Sequence, residues 1–126
     1  MPIVTITVRK PKPSAFKSIV LESVHAALVA SGVHPQDKFQ RVLELAAEDF
    51  HFDLNYPDLQ SERTDQFVLV EILWGVGRSV KVKKKLLDDL MRNLSRQGLS
   101  PENVMVCFQE TSWENWSAGG GRLLHT

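Results

Sequence analysis

Apolar positions along this chain fall into one order that is written twice. "IVTITV" (residues 3–8) and "FVLVEILW" (67–74) are dense in β-branched and aromatic residues, which predicts a strand in each place. After the first run, Phe16, Ile19, Val20, Val24, Ala27 and Leu28 recur at three- and four-residue spacing. After the second, Val82, Leu86, Leu90 and Leu94 form a similar stripe, so each strand leads into an amphipathic helix. Gly32 and Gly98 fall where a helix C-terminal glycine belongs, and Pro35 and Pro101 follow three residues later. A second strand closes each half, "KFQRVLEL" (38–45) and "NVMVCFQE" (103–110).

Sliding the chain against itself by 66 residues, without gaps, superposes the two halves. "SGVHPQD" (31–37) falls on "QGLSPEN" (97–103), Glu44 on Glu110, Glu48 on Glu114, Val4 on Val70, Ile6 on Ile72 and Leu28 on Leu94. Two βαβ units follow, each with parallel strands and a right-handed crossover. The reading is an α+β fold: one domain over 1–126, pseudo-repeats at about 2–50 and 67–116, and two helices on one face of a four-stranded mixed sheet. The run 67–74 is apolar on both of its faces except at Glu71, and such a strand needs cover on both sides. Two helices cover one face, so the other is expected to meet a second copy of the chain. "AAEDFHFDLNYPDLQSER" (46–63) has no sustained period and reads as a long connection with a turn at "NYPD". "ENWSAGGGRLLHT" reads as a glycine-rich tail that needs neighbours to hold it.

Composition narrows the function. A chain of 126 residues that is 43% hydrophobic fills a real core, and a formal net charge of zero gives no reason to expect nucleic acid or an anionic membrane as partner. One cysteine, Cys107, excludes an internal disulfide framework, and no run approaches the roughly 18 apolar residues of a membrane span. The start of the chain lacks the order of a secretory signal, so a cytoplasmic protein is expected. His25, His34, His51 and His125 show no metal-ligand spacing with each other or with Cys107, so no metal is expected. "SAGGGRL" lacks the Lys-Ser or Lys-Thr of a phosphate loop. The lysines at 81–85 read as a solvated helix face, and Cys107 as inert core.

Four residues are candidates for chemistry, and each has an ordinary reading beside it. Pro2 is a tolerable start for a strand. With Met1 removed, it is instead a secondary amine; an α-amine titrates near 7.7–8.0, and burial favours its neutral, basic form. A retained Met1 would leave that nitrogen an amide without useful basicity. Arg78 opens a basic helix. It also sits where a strand ends and a helix begins, and there a guanidinium and the first-turn N–H groups both favour a carboxylate. Asp37, in "HPQD", is either a turn aspartate or a polar group of a site. Trp116 packs a core or forms an apolar pocket wall, and the two roles are compatible.

With a proline at position 2 and two βαβ halves, the chain resembles the tautomerase superfamily. "GVHPQDKFQ", "GRSVKVKKKLL" and "LSPENVMV…ENWSAGGG" resemble its malonate semialdehyde decarboxylase-like branch over nearly the whole chain. The resemblance implies a cofactor-free enzyme, assembled as a homotrimer, acting on a small oxo or enol carboxylic acid. It implies that Pro2 carries the proton, that Arg78 binds and polarises the acid, and that Asp37 assists substrate or water. The chain departs from the pattern at one point: that branch's decarboxylase has a second arginine where Val76 stands here. With one cation fewer, tautomerisation of a 2-oxo acid is the expected reaction, ahead of decarboxylation or hydration. A tautomerase-fold binding protein without turnover is the reading from another class.

Overall fold

The computed structural model describes residues 1–124; His125 lies outside them. Strand β1 (Ile3–Arg9) is followed by helix α1 (Ser14–Ala30) and strand β2 (Phe39–Leu45). Strand β3 (Val68–Gly75), helix α2 (Val80–Arg96) and strand β4 (Val104–Thr111) repeat the order. The sheet runs β2-β1-β3-β4. β1 pairs with β2 and β3 with β4 in parallel, while β1 and β3 meet antiparallel, so two βαβ units share a mixed sheet as expected.

Alternation decides the two faces. Val4, Ile6 and Val8 of β1 and Val68, Val70, Ile72 and Trp74 of β3 are 0–1% exposed and form one core. Val20, Val24, Ala27 and Leu28 of α1 and Leu86, Leu90 and Leu94 of α2 join them. These are the helical stripes expected from the sequence, with Phe16, Ile19 and Val82 at their half-buried edges. Both helices stop in the same way. Gly32 and Gly98 have φ of +112° and +88°, a region that L side chains enter only at a cost. The N–H of Val33 donates to the carbonyl of Leu28 and that of Leu99 to Leu94, each at 3.1 Å. This closes a Schellman motif whose following residue is itself buried.

The opposite face carries Ile3, Thr5 and Thr7 on β1, and Leu69, Glu71 and Leu73 on β3. On the outer strands Phe39, Leu43 and Met105 are exposed by 42–49%. One row crosses this face from Arg41 through Thr5 and Glu71 to Cys107, and the Arg41 Nε donates to the Thr5 hydroxyl at 2.7 Å. Cys107 is therefore not core, contrary to expectation. Its neighbours Val106 and Phe108 point to the helices, and the alternation of a strand turns its thiol out onto the uncovered face, where it is exposed.

The connection between the halves has more structure than its lack of period suggests. Phe50, Phe52 and Phe67 cluster with centroids 4.4–5.8 Å apart, and Arg9 lies 4.2 Å over the Phe52 ring. Arg63 is buried and donates to the carbonyls of Asp53 and Tyr56, each at 2.6 Å. The tail also folds on itself: Ser117 bridges Leu123, and the Leu124 N–H donates to the Trp116 carbonyl at 3.1 Å. Positive φ at Gly120 and Gly121 makes that reversal possible.

Candidate active site

The strand directions bring the four candidates to one end of the sheet. Pro2 stands immediately before β1. Because β2 runs parallel, its entry, preceded by Asp37, lies beside it; Ile3 pairs with Phe39. Because β3 runs antiparallel, its exit lies there too; Ile3 pairs with Leu73, and the chain continues into Arg78. β4 runs with β3, so it delivers Trp113 and Trp116 to the same end.

Pro2 is buried, and its nitrogen is joined to Met1. The Met1 amine lies 3.5 Å from Asp37 Oδ2, while Asp37 Oδ1 is buried and has no hydrogen-bond partner among the described residues. Trp116 is 8% exposed, and its indole N–H is likewise buried and unpartnered. A cavity of about 510 Å³ lies between Met1, Ile3, Phe39, Arg41 and Trp116, with Lys38 at its edge. Its walls are more apolar than polar, so Trp116 is both core and pocket wall. Of the four candidates only Trp116 lines it; Pro2, Asp37 and Arg78 do not.

Arg78 is half-buried and folded against its own strand end. Nη1 donates to the Gly75 carbonyl at 2.9 Å, and the guanidinium carbon sits 4.4 Å over the Trp74 ring and 5.9 Å from that of Trp113. Burial lowers the guanidinium's pKa; Glu110 and, more weakly, Asp37 oppose that shift as nearby negative charges. An arginine stays cationic at neutral pH under such a shift. Asp37 thus faces the amine on one side and is within electrostatic reach of Arg78 on the other. The helix amides that Arg78 was expected to share are partly taken: the Ser79 hydroxyl caps α2 by accepting from the Val82 N–H at 3.2 Å.

Sequence reasoning missed Trp113 and Glu110 beside Arg78, and Lys38, Phe39 and Arg41 at the cavity. The repeat held part of that signal. Lys17 pairs with Glu44 and Lys83 with Glu110, the same bond 66 residues apart. Lys12 donates to the Arg9 carbonyl as Arg78 does to that of Gly75, again 66 apart. The halves differ where chemistry is in question. Asn103, which matches Asp37, is buried and uses its amide to hold the backbone N–H and hydroxyl of Thr64. That end of the sheet is thereby tied to the connecting segment.

Comparison with known proteins agrees with this architecture. A search of curated proteins finds no match to the chain. Among solved structures, malonate semialdehyde decarboxylase, described in wild-type, mutant and inactivated forms with decarboxylase and hydratase activities, is 26% identical with a TM-score of 0.87; the match covers 96% of this chain and 93% of that one. The FG41 malonate semialdehyde decarboxylase inhibited by 3-bromopropiolate is 20% identical, also with a TM-score of 0.87, over 96% and 92% of the chains. A fused 4-OT, a symmetric trimer, is 20% identical with a TM-score of 0.74 over 96% and 94%. The family model described as "Tautomerase enzyme" matches residues 37–119, which include Asp37, Arg78 and Trp116, and the chain belongs to that family.

Proposed function

We propose that the protein is a cofactor-free tautomerase that moves a proton between carbon and oxygen of a small oxo or enol carboxylic acid. The observation that carries this reading is the meeting of the chain's amino end with Asp37, within the field of Arg78, beside an apolar cavity. Met1 takes part in both features: its amine meets Asp37, and it lines the cavity. Its removal would open the cavity toward Asp37 and turn the Pro2 nitrogen from an amide into a secondary amine. Pro2 is buried, and burial favours the neutral form of that amine, which can then accept a proton at cellular pH.

In the reaction, the Pro2 nitrogen takes a proton from the carbon next to the oxo group. The electron pair of that C–H bond forms the carbon–carbon double bond, and the π pair of the oxo group moves onto its oxygen. The proton held on Pro2 passes to that oxygen, directly or through a water, to give the enol and restore the amine. Reversal returns the keto acid. Arg78 holds the carboxylate, the unpartnered Asp37 oxygen orients the oxo or enol group or a water, and Trp116 keeps the cavity apolar. The surrounding assembly is a homotrimer in this reading. The test is turnover of phenylenolpyruvate by wild type and Pro2→Ala. A loss of about 10²- to 10⁴-fold, the usual contribution of a positioned acid–base group, is expected. Equal rates remove the proline from the mechanism.

The 26% likeness to malonate semialdehyde decarboxylase favours a second reading, decarboxylation or hydration of a 3-oxo or unsaturated acid. Val76, exposed by 41% where a second cation would be expected, weighs against it.

A further inference from the structure

Arg78 is one member of a column of cations and rings that continues past the site. The Lys83 ammonium lies 5.9 Å from the centroid of Phe108, and Phe108 stacks on Trp74 at 5.2 Å with 14° between the planes. Arg78 follows at 4.4 Å on Trp74, with Trp113 5.9 Å from its guanidinium carbon. Trp74 is fully buried. Trp113 reaches its place because position 75 has no side chain: a Cβ there would lie 2.6 Å from the indole. Thr111, just before Trp113, accepts a hydrogen bond from the Asn115 side chain at 2.7 Å, which fixes the short turn that presents the ring.

A loop arginine is a poor anchor unless something fixes its long side chain. Gly77, with φ of +117°, makes the segment before Arg78 permissive. The guanidinium lies over the Trp74 ring at 4.4 Å and within 5.9 Å of that of Trp113, and the Gly75 carbonyl takes one N–H. The remaining N–H groups lie in the guanidinium plane, where a carboxylate is bound by two parallel bonds. We infer that Trp74 and Trp113 are positioning residues that hold the guanidinium of Arg78 in the orientation that receives an acid substrate. This rests on the reading of Arg78 as the carboxylate anchor.

Because Trp74 is central to the core, its removal would unfold the chain before it informed on the site. The test therefore uses Trp113→Leu, Trp113→Phe, Gly75→Ala and Arg78→Ala, assayed with phenylenolpyruvate. Trp113→Leu is expected to raise KM about tenfold with kcat within about twofold, the scale of one partly desolvated cation–π contact. Trp113→Phe restores KM, and Gly75→Ala reproduces the leucine variant by displacing the indole. An unchanged KM in Trp113→Leu, where Arg78→Ala raises it, overturns the positioning role and leaves the anchor intact. An unchanged KM in Arg78→Ala overturns the anchor itself. A second readout needs no turnover: the Arg78 Cδ protons in wild type are expected to be shifted upfield by the rings and to move toward ordinary values in Trp113→Leu. Ordinary values already in wild type contradict the stack.

Discussion

At the scale of single residues, the account depends on which polar atoms already have partners. Arg63 is fastened to two backbone carbonyls and Asn103 to Thr64, so both are structural despite their burial. Asp37 has a buried carboxylate oxygen without a hydrogen-bond partner among the described residues, beside the chain's amino end. That placement, together with the spare oxygen, is what marks it as a candidate. Arg63 also leaves its Nε without such a partner, but it lies against the connecting segment as a strut. Asp53 is a strut of another kind. Its carboxylate accepts from the N–H groups of Tyr56 and Asn55, which hold its pKa below the ordinary 3.8. A carboxylate depressed in the folded state stabilises above its unfolded pKa and loses that contribution as pH falls through the lower folded one. Asp53→Asn is therefore expected to lower the melting temperature at neutral pH, with the difference from wild type shrinking below 3.8 and vanishing once pH has fallen through the lower folded pKa. A difference that persists unchanged in acid would contradict the assignment. For Arg78→Lys, weaker acid binding is expected, because an ammonium can neither stack on an indole as a planar guanidinium does nor bind bidentately; KM from steady-state kinetics checks this.

At the scale of elements, the repeat made the fold legible. All four strands and both long helices fell within a residue or a few of their expected places, because alternation and three-four spacing report burial directly. The short 3-10 turns at 47–49, 101–103 and 113–115 were not anticipated. The glycine stops were equally readable, since positive φ after a helix leaves few alternatives to glycine. What the sequence hid was contact between distant elements: the stacking of Arg78 on Trp74, the aromatic cluster that pins the connection, and the tail hairpin. None of these has a period. Cys107 was misread because an apolar neighbourhood along a strand says nothing about which face a residue takes. Pro2, Asp37, Arg78 and Trp116 were legible as residue types in a family-like frame, whereas their convergence required the antiparallel meeting of β1 and β3. Two variants test the elements by chemical denaturation. Ser79→Ala is expected to lose about 1 kcal/mol with the α2 cap. Gly98→Ala is expected to lose about 1–2 kcal/mol by forcing a side chain into the left-handed region.

At the scale of the whole molecule, one face of the sheet is covered by the helices, while on the other Thr5 and Thr7 of β1 are buried and the outer strands are exposed. Phe39, Leu43 and Met105 leave apolar surface open there, while Arg41 and Glu71 give it charges of both signs in one row. A surface of that composition suits a copy of itself. Light scattering is expected to give the mass of a trimer, and Glu71→Arg, which removes the negative member of the row, to shift the population toward smaller species. A monomer mass for wild type would contradict the assembly. Whatever the assembly, the chemistry requires that each chain expose the Pro2 nitrogen. The most direct measurement is the intact mass of the purified native protein before and after 3-bromopropiolate, with the modified peptide located. The account predicts a chain lacking Met1 and one adduct on Pro2; a retained Met1, or an adduct placed elsewhere, would contradict it.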